Sequence, residues 1–178
     1  MEEISSLTIF ASEYHSDRYL RVETSGTPPD LTWKVRSVAR GRGITRRLDG
    51  GSLDALAQLF GPVETLRFIG AFHGEKLVGL LIWKLEEWNQ TVWLCDIRVR
   101  AEYRRRGIAS RLLEDLQWAA MRAEARGIML ETQNANTQAI EFYLVKGFRL
   151  VGLNSALYSD RDSPMVEVAL FFYRSLGG

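Results

Sequence analysis

The chain has 178 residues, about the size of one domain, with 46% hydrophobic and 25% charged residues, the balance of an ordinary soluble globular protein. Lys and Arg number 23 against 22 Asp and Glu, a net charge of +1, which argues against a global electrostatic footprint for nucleic acid or a membrane surface. The single cysteine, Cys95, excludes an intrachain disulfide and a cysteine-rich metal site, and His15 and His73 show no ligand spacing, so no metal is expected.

The first residues, MEEISS, lack the basic start and apolar run of a secretory signal, and the apolar stretch Leu77 to Leu85 is broken by Gly79 and Lys84 and too short to span a bilayer. The expectation is a cytoplasmic enzyme or binding domain. Residues 1–60 are the least readable third. Leu7 to Phe10 and Tyr19 to Val22 are candidate short strands, and Pro28-Pro29 marks an extended or turning linker. The basic stretch Lys34, Arg36, Arg40, Arg42, Arg46, Arg47 reads as a solvated loop or an exposed helix face. Ser52 has the character of an N-cap for a short helix through Ala55, Leu56 and Leu59, stopped by Gly61-Pro62.

From Leu66 the pattern sharpens. Leu66 to Phe72 and Leu77 to Leu85 are strand-like around the turn His73 to Lys76, and Trp88-Asn89-Gln90 turns into a third strand, Thr91 to Val99. Ala109, Leu112, Leu113, Leu116, Ala119, Ala120 and Ala123 recur at helical spacing, with Gly127 fitting the position just past the helix end. A short strand follows at Ile128 to Glu131, then a helix at Thr137 to Lys146 stopped by Gly147, and closing strands at Phe148 to Tyr158 and Val166 to Tyr173. This order predicts an α+β or three-layer α/β/α single domain over 1–178, not a doubly wound parallel sheet. The last strand, being apolar, is a candidate for pairing across a homodimer.

The segment Tyr103 to Ala109 lies between a strand and the long helix, where unpaired amides and the helix dipole favour an anion. Gly107 lets a phosphate approach the backbone, and Arg104, Arg105, Arg106 and Arg111 add charge, with Arg98 and Arg100 extending the basic edge. The spacing R-x-x-G-x-A resembles the CoA-pyrophosphate loop of the GCN5-related N-acetyltransferases, the GNAT family. A second segment, Asn136 through Tyr143 to Gly147-Phe148, is similar to the family's N-x-x-A-x-x-x-Y-x-x-x-G-F pattern. With their strands and helices, the two motifs cover about residues 66–174.

The resemblance implies a mixed, mostly antiparallel central sheet flanked by helices, with 66–174 as the acetyl-CoA-binding core and 1–60 on the acceptor side. It implies that Arg104, Arg105, Arg106, Gly107, Ile108 and Ala109 wrap the pyrophosphate. Ile97, Arg98 and Val99 would pair their backbone with the pantetheine arm as an added strand would, and Asn136 would bond it while starting its own helix. Acyl transfer from a thioester to an amine needs a neutral amine, a held oxyanion and a protonated leaving thiolate. The resemblance gives Tyr143 as the acid, direct transfer in a ternary complex and no metal. For the base, Asp96 and Glu131 are both candidates, directly or through water. Cys95 is read as packing, since no His is close in sequence.

Glu87-Trp88-Asn89, Leu130-Glu131-Thr132-Gln133 and Gly152 to Tyr158, followed by a strand with Glu167, are similar to the streptothricin (nourseothricin) acetyltransferases. Those enzymes inactivate the antibiotic by acetylating an amino group of its β-lysine chain. A cationic acceptor needs acidic and aromatic walls, for which Trp88, Glu131, Tyr158 and Glu167 are the candidates, with Glu86, Glu87, Asp96, Asp160 and Asp162 as further carboxylates. One departure is Cys95, where that group tends to carry Glu. Two rivals stay open: a protein N-terminal or lysine acetyltransferase, and a non-catalytic acetyl-CoA-sensing module.

Overall fold

The computed structural model describes residues 9–48, 50, 52–158 and 167–177. The described strands are β1 (Ser12–Ser25), β2 (Thr32–Leu48), β3 (Arg67–His73), β4 (Lys76–Glu86), β5 (Thr91–Val99), β6 (Gly127–Gln133), β7 (Arg149–Asn154) and β8 (Ala169–Ser175). The described helices are α1 (Leu53–Phe60), α2 (Ile108–Arg122) and α3 (Thr137–Val145). β1 and β2 form a two-stranded sheet, and the rest a six-stranded sheet in the order β3-β4-β5-β6-β8-β7. β4 pairs antiparallel with both β3 and β5, whereas β5 and β6 run parallel, so the sheet is mixed, as the motifs imply. Among the described residues no helix is long and apolar enough to cross a membrane.

The chain packs as two compact units. One comprises the described residues up to Glu13, Arg47–Leu130 and Tyr173 onward; the other comprises Tyr14–Arg46 and Glu131–Phe172.

In the first unit, β4 is buried on both faces because successive side chains point opposite ways. Leu80 and Ile82 meet Ile9, Phe10, Leu56 and Leu66, with Cys95 packed against them. Leu56 comes from α1, which starts where Ser52 accepts the Ala55 amide at 3.4 Å and stops at Gly61 with φ 99°. The opposite face takes α2 through Leu112, Leu116 and Ala120, spaced at i, i+4, with Leu113 three residues before Leu116 on the same stripe. Gly79 makes this packing possible, since a Cβ there would lie 2.7 Å from Ile108 Cγ2 and 3.1 Å from Leu112 Cδ1. Between β4 and β5 the register slips: Ile82 faces Asp96 but Trp83 faces Leu94, so Cys95 is the extra residue of a bulge.

Gly127 is not the helix stop expected of it. α2 ends at Ala123, Glu124 takes the left-handed turn at φ 53°, and Gly127 begins β6, because a Cβ there would overlap the Tyr173 ring.

The second unit corrects the reading of residues 34–47, which form most of a seventeen-residue strand, not a loop or helix face. Most of β2 is exposed, so its backbone is satisfied by pairing with β1 and not by an apolar face. The candidate strand at Tyr19 to Val22 lies within β1, while Leu7 and Thr8 fall outside the described residues. Asn134 pins the hairpin. Its backbone and amide group bond the Leu20 N–H and C=O at 2.9 and 3.0 Å, and it exchanges two further bonds with the Val168 backbone at 2.9 and 3.1 Å. α3 follows, and Gly147 at φ 83° turns the chain toward β7. β8 lies between β6 and β7 in sheet order, so its backbone edges are already occupied and leave no strand edge for a dimer partner.

Candidate functional site

The expected anion loop closes the first unit's sheet end. Gly107 is the N-cap of α2 with φ 80°, a left-handed conformation that glycine adopts without steric cost, and nothing lies within 4 Å of where its Cβ would be. The first helical bond is from the Arg111 N–H to the Gly107 carbonyl at 3.0 Å, and among the described residues no side chain caps the helix. The amides of Ile108, Ala109 and Ser110 therefore have no intrahelical partner and face an open approach.

The arginines divide into two sets. Arg104 turns back into the protein, its Nε donating to the Val99 carbonyl at 3.2 Å and its guanidinium to Ser12 Oγ at 3.0 Å. Arg100 donates to the Leu77 carbonyl at 2.7 Å and lies over the Phe10 ring, 4.5 Å from its centroid. Arg98 bonds the Phe10 and Leu48 carbonyls at 3.2 and 3.4 Å. These three hold the chain together, while the exposed Arg105, and Arg106 stacked 5.2 Å over Tyr103, carry the loop's outward charge. Arg111 is engaged with Glu114 and Asp115 on its own helix at 3.8 and 3.5 Å.

The parallel ladder between β5 and β6 ends at Leu94 opposite Leu130. Ile97, Arg98 and Val99 lie beyond it and keep their pairing with β4 on the other edge, which fits the expected strand-like partner. Asp96 follows the bulge and pairs with Arg98 at 2.6 Å. Burial pushes its carboxyl above the usual range, and the charge and hydrogen bond of Arg98 pull it back. Burial pushes the Cys95 thiol up to about 12, opposite to what a nucleophile needs. Trp88 stands 83% exposed in the turn before β5. There Asn89 does the structural work, accepting from the Thr91 N–H and hydroxyl at 3.1 and 2.7 Å. Glu86 is engaged with Lys84 at 2.7 Å.

In the second unit, Asn136 caps α3 by accepting the Ala139 amide at 3.3 Å. Tyr143 is buried among the rings of Phe142, Phe148 and Phe172, at centroid distances of 5.4, 5.6 and 6.5 Å. Three predicted acceptor residues come together in the same unit. The Tyr158 hydroxyl donates to Glu131 at 2.7 Å, and burial first, then Glu131 and Glu167, raise its pKa. Burial raises the Glu131 carboxyl, and the Tyr158 bond lowers it. Asp160 and Asp162 lie outside the described residues.

Three further residues belong to this cluster. Arg46 ion-pairs with Glu167, the Gln133 amide donates to the other Glu167 oxygen at 3.3 Å, and the Tyr14 hydroxyl donates to Gln133 at 2.8 Å. Gln133 was accessible to sequence reasoning, since it lies two residues after Glu131 on a strand and so shares its face. Tyr14 and Arg46 carry no such signal.

A sequence model of the Acetyltransferase (GNAT) family matches residues 51–148, more than half of the chain. The chain belongs to the GNAT family. It is 34% identical over 107 residues to a streptothricin acetyltransferase of Escherichia coli, covering 58% of this chain and 59% of that one. With streptothricin acetyltransferase A of Bacillus subtilis it shares 34% identity over 87 residues, 48% of this chain and 49% of that one. The GNAT chain thus spans between about half and three-fifths of the length of these curated relatives. Its structure is similar to the crystal structure of nourseothricin acetyltransferase, with a TM-score of 0.75 and 25% identity over 98% of this chain and 92% of that one. A Bacillus anthracis protein crystallised with acetyl coenzyme A shares the fold, with a TM-score of 0.68 and 24% identity over 92% and 88% of the two chains.

Proposed function

We propose that this GNAT protein transfers the acetyl group of acetyl-CoA to a primary amine of a small cationic acceptor, streptothricin first among them, by direct attack in a ternary complex. The observation that carries the acceptor class is the Glu131–Tyr158 pair, a half-buried carboxylate that, among the described residues, enters no ion pair. Such a carboxylate attracts an ammonium more strongly than an exposed one does, because the surroundings screen it less. The names of the curated relatives and of the nourseothricin enzyme support the same acceptor.

The residues present fit acetyl-CoA. Open space at Gly107 and the uncapped amides of Ile108, Ala109 and Ser110 suit a pyrophosphate, with Arg105 and Arg106 outside it. The β5 edge at Ile97 to Val99 suits the pantetheine amides. When bound, acetyl-CoA supplies the activated thioester. Glu131 holds the acceptor's ammonium and takes its proton, a role suited by a carboxyl that burial has moved toward neutral pH. Tyr158 fixes the orientation of Glu131. Tyr143 gives a proton to the departing sulfur. Asp96 keeps Arg98 in place and leaves the base role to Glu131.

The test is kcat/KM with free-CoA detection for streptothricin beside polyamines, aminoglycosides and N-terminal peptides. Streptothricin is expected to be best or among the best. A best value for a peptide, with streptothricin at background, would overturn the acceptor; no amine turned over would overturn the transferase reading.

A further inference from the structure

Of the loop residues expected around the pyrophosphate, Arg104 spends its side chain on the protein. Its Nε donates to the Val99 carbonyl at 3.2 Å, a terminal nitrogen donates to Ser12 Oγ at 3.0 Å, and its backbone N–H donates to the Ala101 carbonyl at 3.2 Å. All three acceptors belong to the first unit, Val99 as the last residue of β5 and Ser12 as the first of β1. Arg104 is half-buried, while Arg105, Arg106 and Gly107 are exposed. The backbone turns left-handed immediately after this anchor, with φ 60° at Arg105 and φ 80° at Gly107. Glycine adopts such angles freely, whereas a non-glycine residue holds them only where its surroundings impose them. The residue that enters this turn is fixed at three points, and the turn leads to the first amides of α2.

We propose that Arg104 is a positioning residue of the acetyl-CoA loop. Braced on Ser12 and Val99, its guanidinium holds Arg105 in the left-handed turn and so aims the amides of Ile108, Ala109 and Ser110 at the pyrophosphate, without bonding a phosphate itself. The charge of the phosphates is met by those amides and by Arg105 and Arg106. Ser12, at the start of β1, thereby sets acetyl-CoA affinity from outside the loop. This rests on the reading of the loop as the pyrophosphate site. A guanidinium suits the brace because its donors form a rigid planar fork that reaches two acceptors at once, which an ammonium does not reproduce.

Calorimetric titration with acetyl-CoA at low and high salt compares wild type, Ser12→Ala, Ser12→Thr, Arg104→Lys, the double variant Ser12→Ala/Arg104→Lys, and Arg106→Gln. Each is first checked for folding by thermal unfolding. Ser12→Ala removes one hydroxyl and no charge, so Kd should rise about fivefold or more with the salt dependence of wild type. Ser12→Thr keeps an acceptor oxygen and should stay within about twofold of wild type. Arg104→Lys keeps the charge and loses the fork, so it should weaken binding at least as much as Ser12→Ala. The double variant should be weaker than Arg104→Lys by no more than about twofold, because the bond it removes is already gone. Arg106→Gln should weaken binding and flatten its salt dependence, as a residue facing the phosphates does. In turnover, Ser12→Ala should raise the acetyl-CoA KM while kcat and the acceptor KM stay near wild type, a split that a general loosening of the fold would not give. Unchanged affinity in Ser12→Ala would overturn the brace. So would near-wild-type affinity in Arg104→Lys, since charge alone would then account for Arg104, and so would fully additive losses in the double variant. A wild type that binds no acetyl-CoA would overturn the reading of the loop itself, and the proposal with it.

Discussion

Gly79→Ala adds one methyl group on β4, on the face that carries α2. The new Cβ would lie 2.7 Å from Ile108 Cγ2, 3.1 Å from Leu112 Cδ1 and 3.3 Å from Ala71 Cβ. Ordinary carbon contacts are about 3.5–4.0 Å, so the start of α2 must shift by about 1 Å. Ile108 Cγ2 is fixed to a branched Cβ and cannot swing aside as the tip of a long side chain would. Overpacking of this kind costs about 1–3 kcal/mol, offset by the roughly 0.5–1 kcal/mol that alanine gains over glycine in a regular element. The net loss is about 1–2 kcal/mol, or about 2–8 °C in Tm for a chain of this length. Because Ile108 follows Gly107, the displacement should also weaken acetyl-CoA binding from a residue that touches no ligand. Scanning calorimetry and titration with acetyl-CoA read the two effects. Ile108→Ala made in the Gly79→Ala background should recover part of both, giving a favourable coupling in the double-mutant cycle. An unchanged Tm and affinity in Gly79→Ala would refute the claim that this glycine sets the approach of α2.

Gly107→Val forces a branched residue to φ 80°, where a left-handed conformation costs about 1–2 kcal/mol, and occupies the open approach to the amides. Titration of the folded variant should show several-fold or greater loss of acetyl-CoA affinity. Tyr143→Phe keeps the packing against Phe142, Phe148 and Phe172 and removes the proton, so kcat should fall roughly 10²–10⁴-fold with acetyl-CoA binding little changed. Tyr158→Phe removes the bond that lowers the Glu131 pKa, so the acidic limb of the pH–rate profile should move to higher pH; a limb that stays in place would separate Glu131 from the titrating group. Asp96→Asn removes the charge that Asp96 sets beside Arg98 and should cost Tm more than turnover, whereas Glu131→Gln should lower kcat with Tm nearly kept.

Most of β3 to β8 was legible because those segments are governed by local rules. Alternation marks β6, the i, i+4 stripe of Leu112, Leu116 and Ala120 marks α2, and Ser52 and Asn136 cap where capping chemistry says they should. The hairpin was not legible. β2 is largely exposed and rich in arginine, so it lacks the half-buried alternation that betrays a strand, and its order comes from β1 and from Leu20 bound to Asn134. The same distance hides part of the cluster around Glu131 and Glu167. Tyr14 meets Gln133 across 119 positions and Arg46 meets Glu167 across 121, separations at which no spacing rule operates. Burial raises the Cys95 thiol, in line with the reading of Cys95 as packing, and a Glu there is not a simple restoration of the pattern. The side chain packs against the Ile82 and Leu80 cluster, where a carboxylate would need a partner.

Asp96 and Glu131 show why residue type and neighbourhood in sequence left the base undecided between them. Burial raises both carboxyls, so desolvation does not distinguish them. What distinguishes them is the partner each fold position supplies. The bulge at Cys95 leaves Asp96 beside Arg98, whose other bonds run to the Phe10 and Leu48 carbonyls. A proton taken up by Asp96 would weaken an ion pair that ties three chain segments together, so the reaction would work against the fold at every turnover. Glu131 is met by a neutral phenol that can donate to it when charged and accept from it when protonated, so among the described residues its cycle disturbs no ion pair. A base must change charge without moving its surroundings, and that requirement is what favours Glu131 over Asp96 in the proposed reaction.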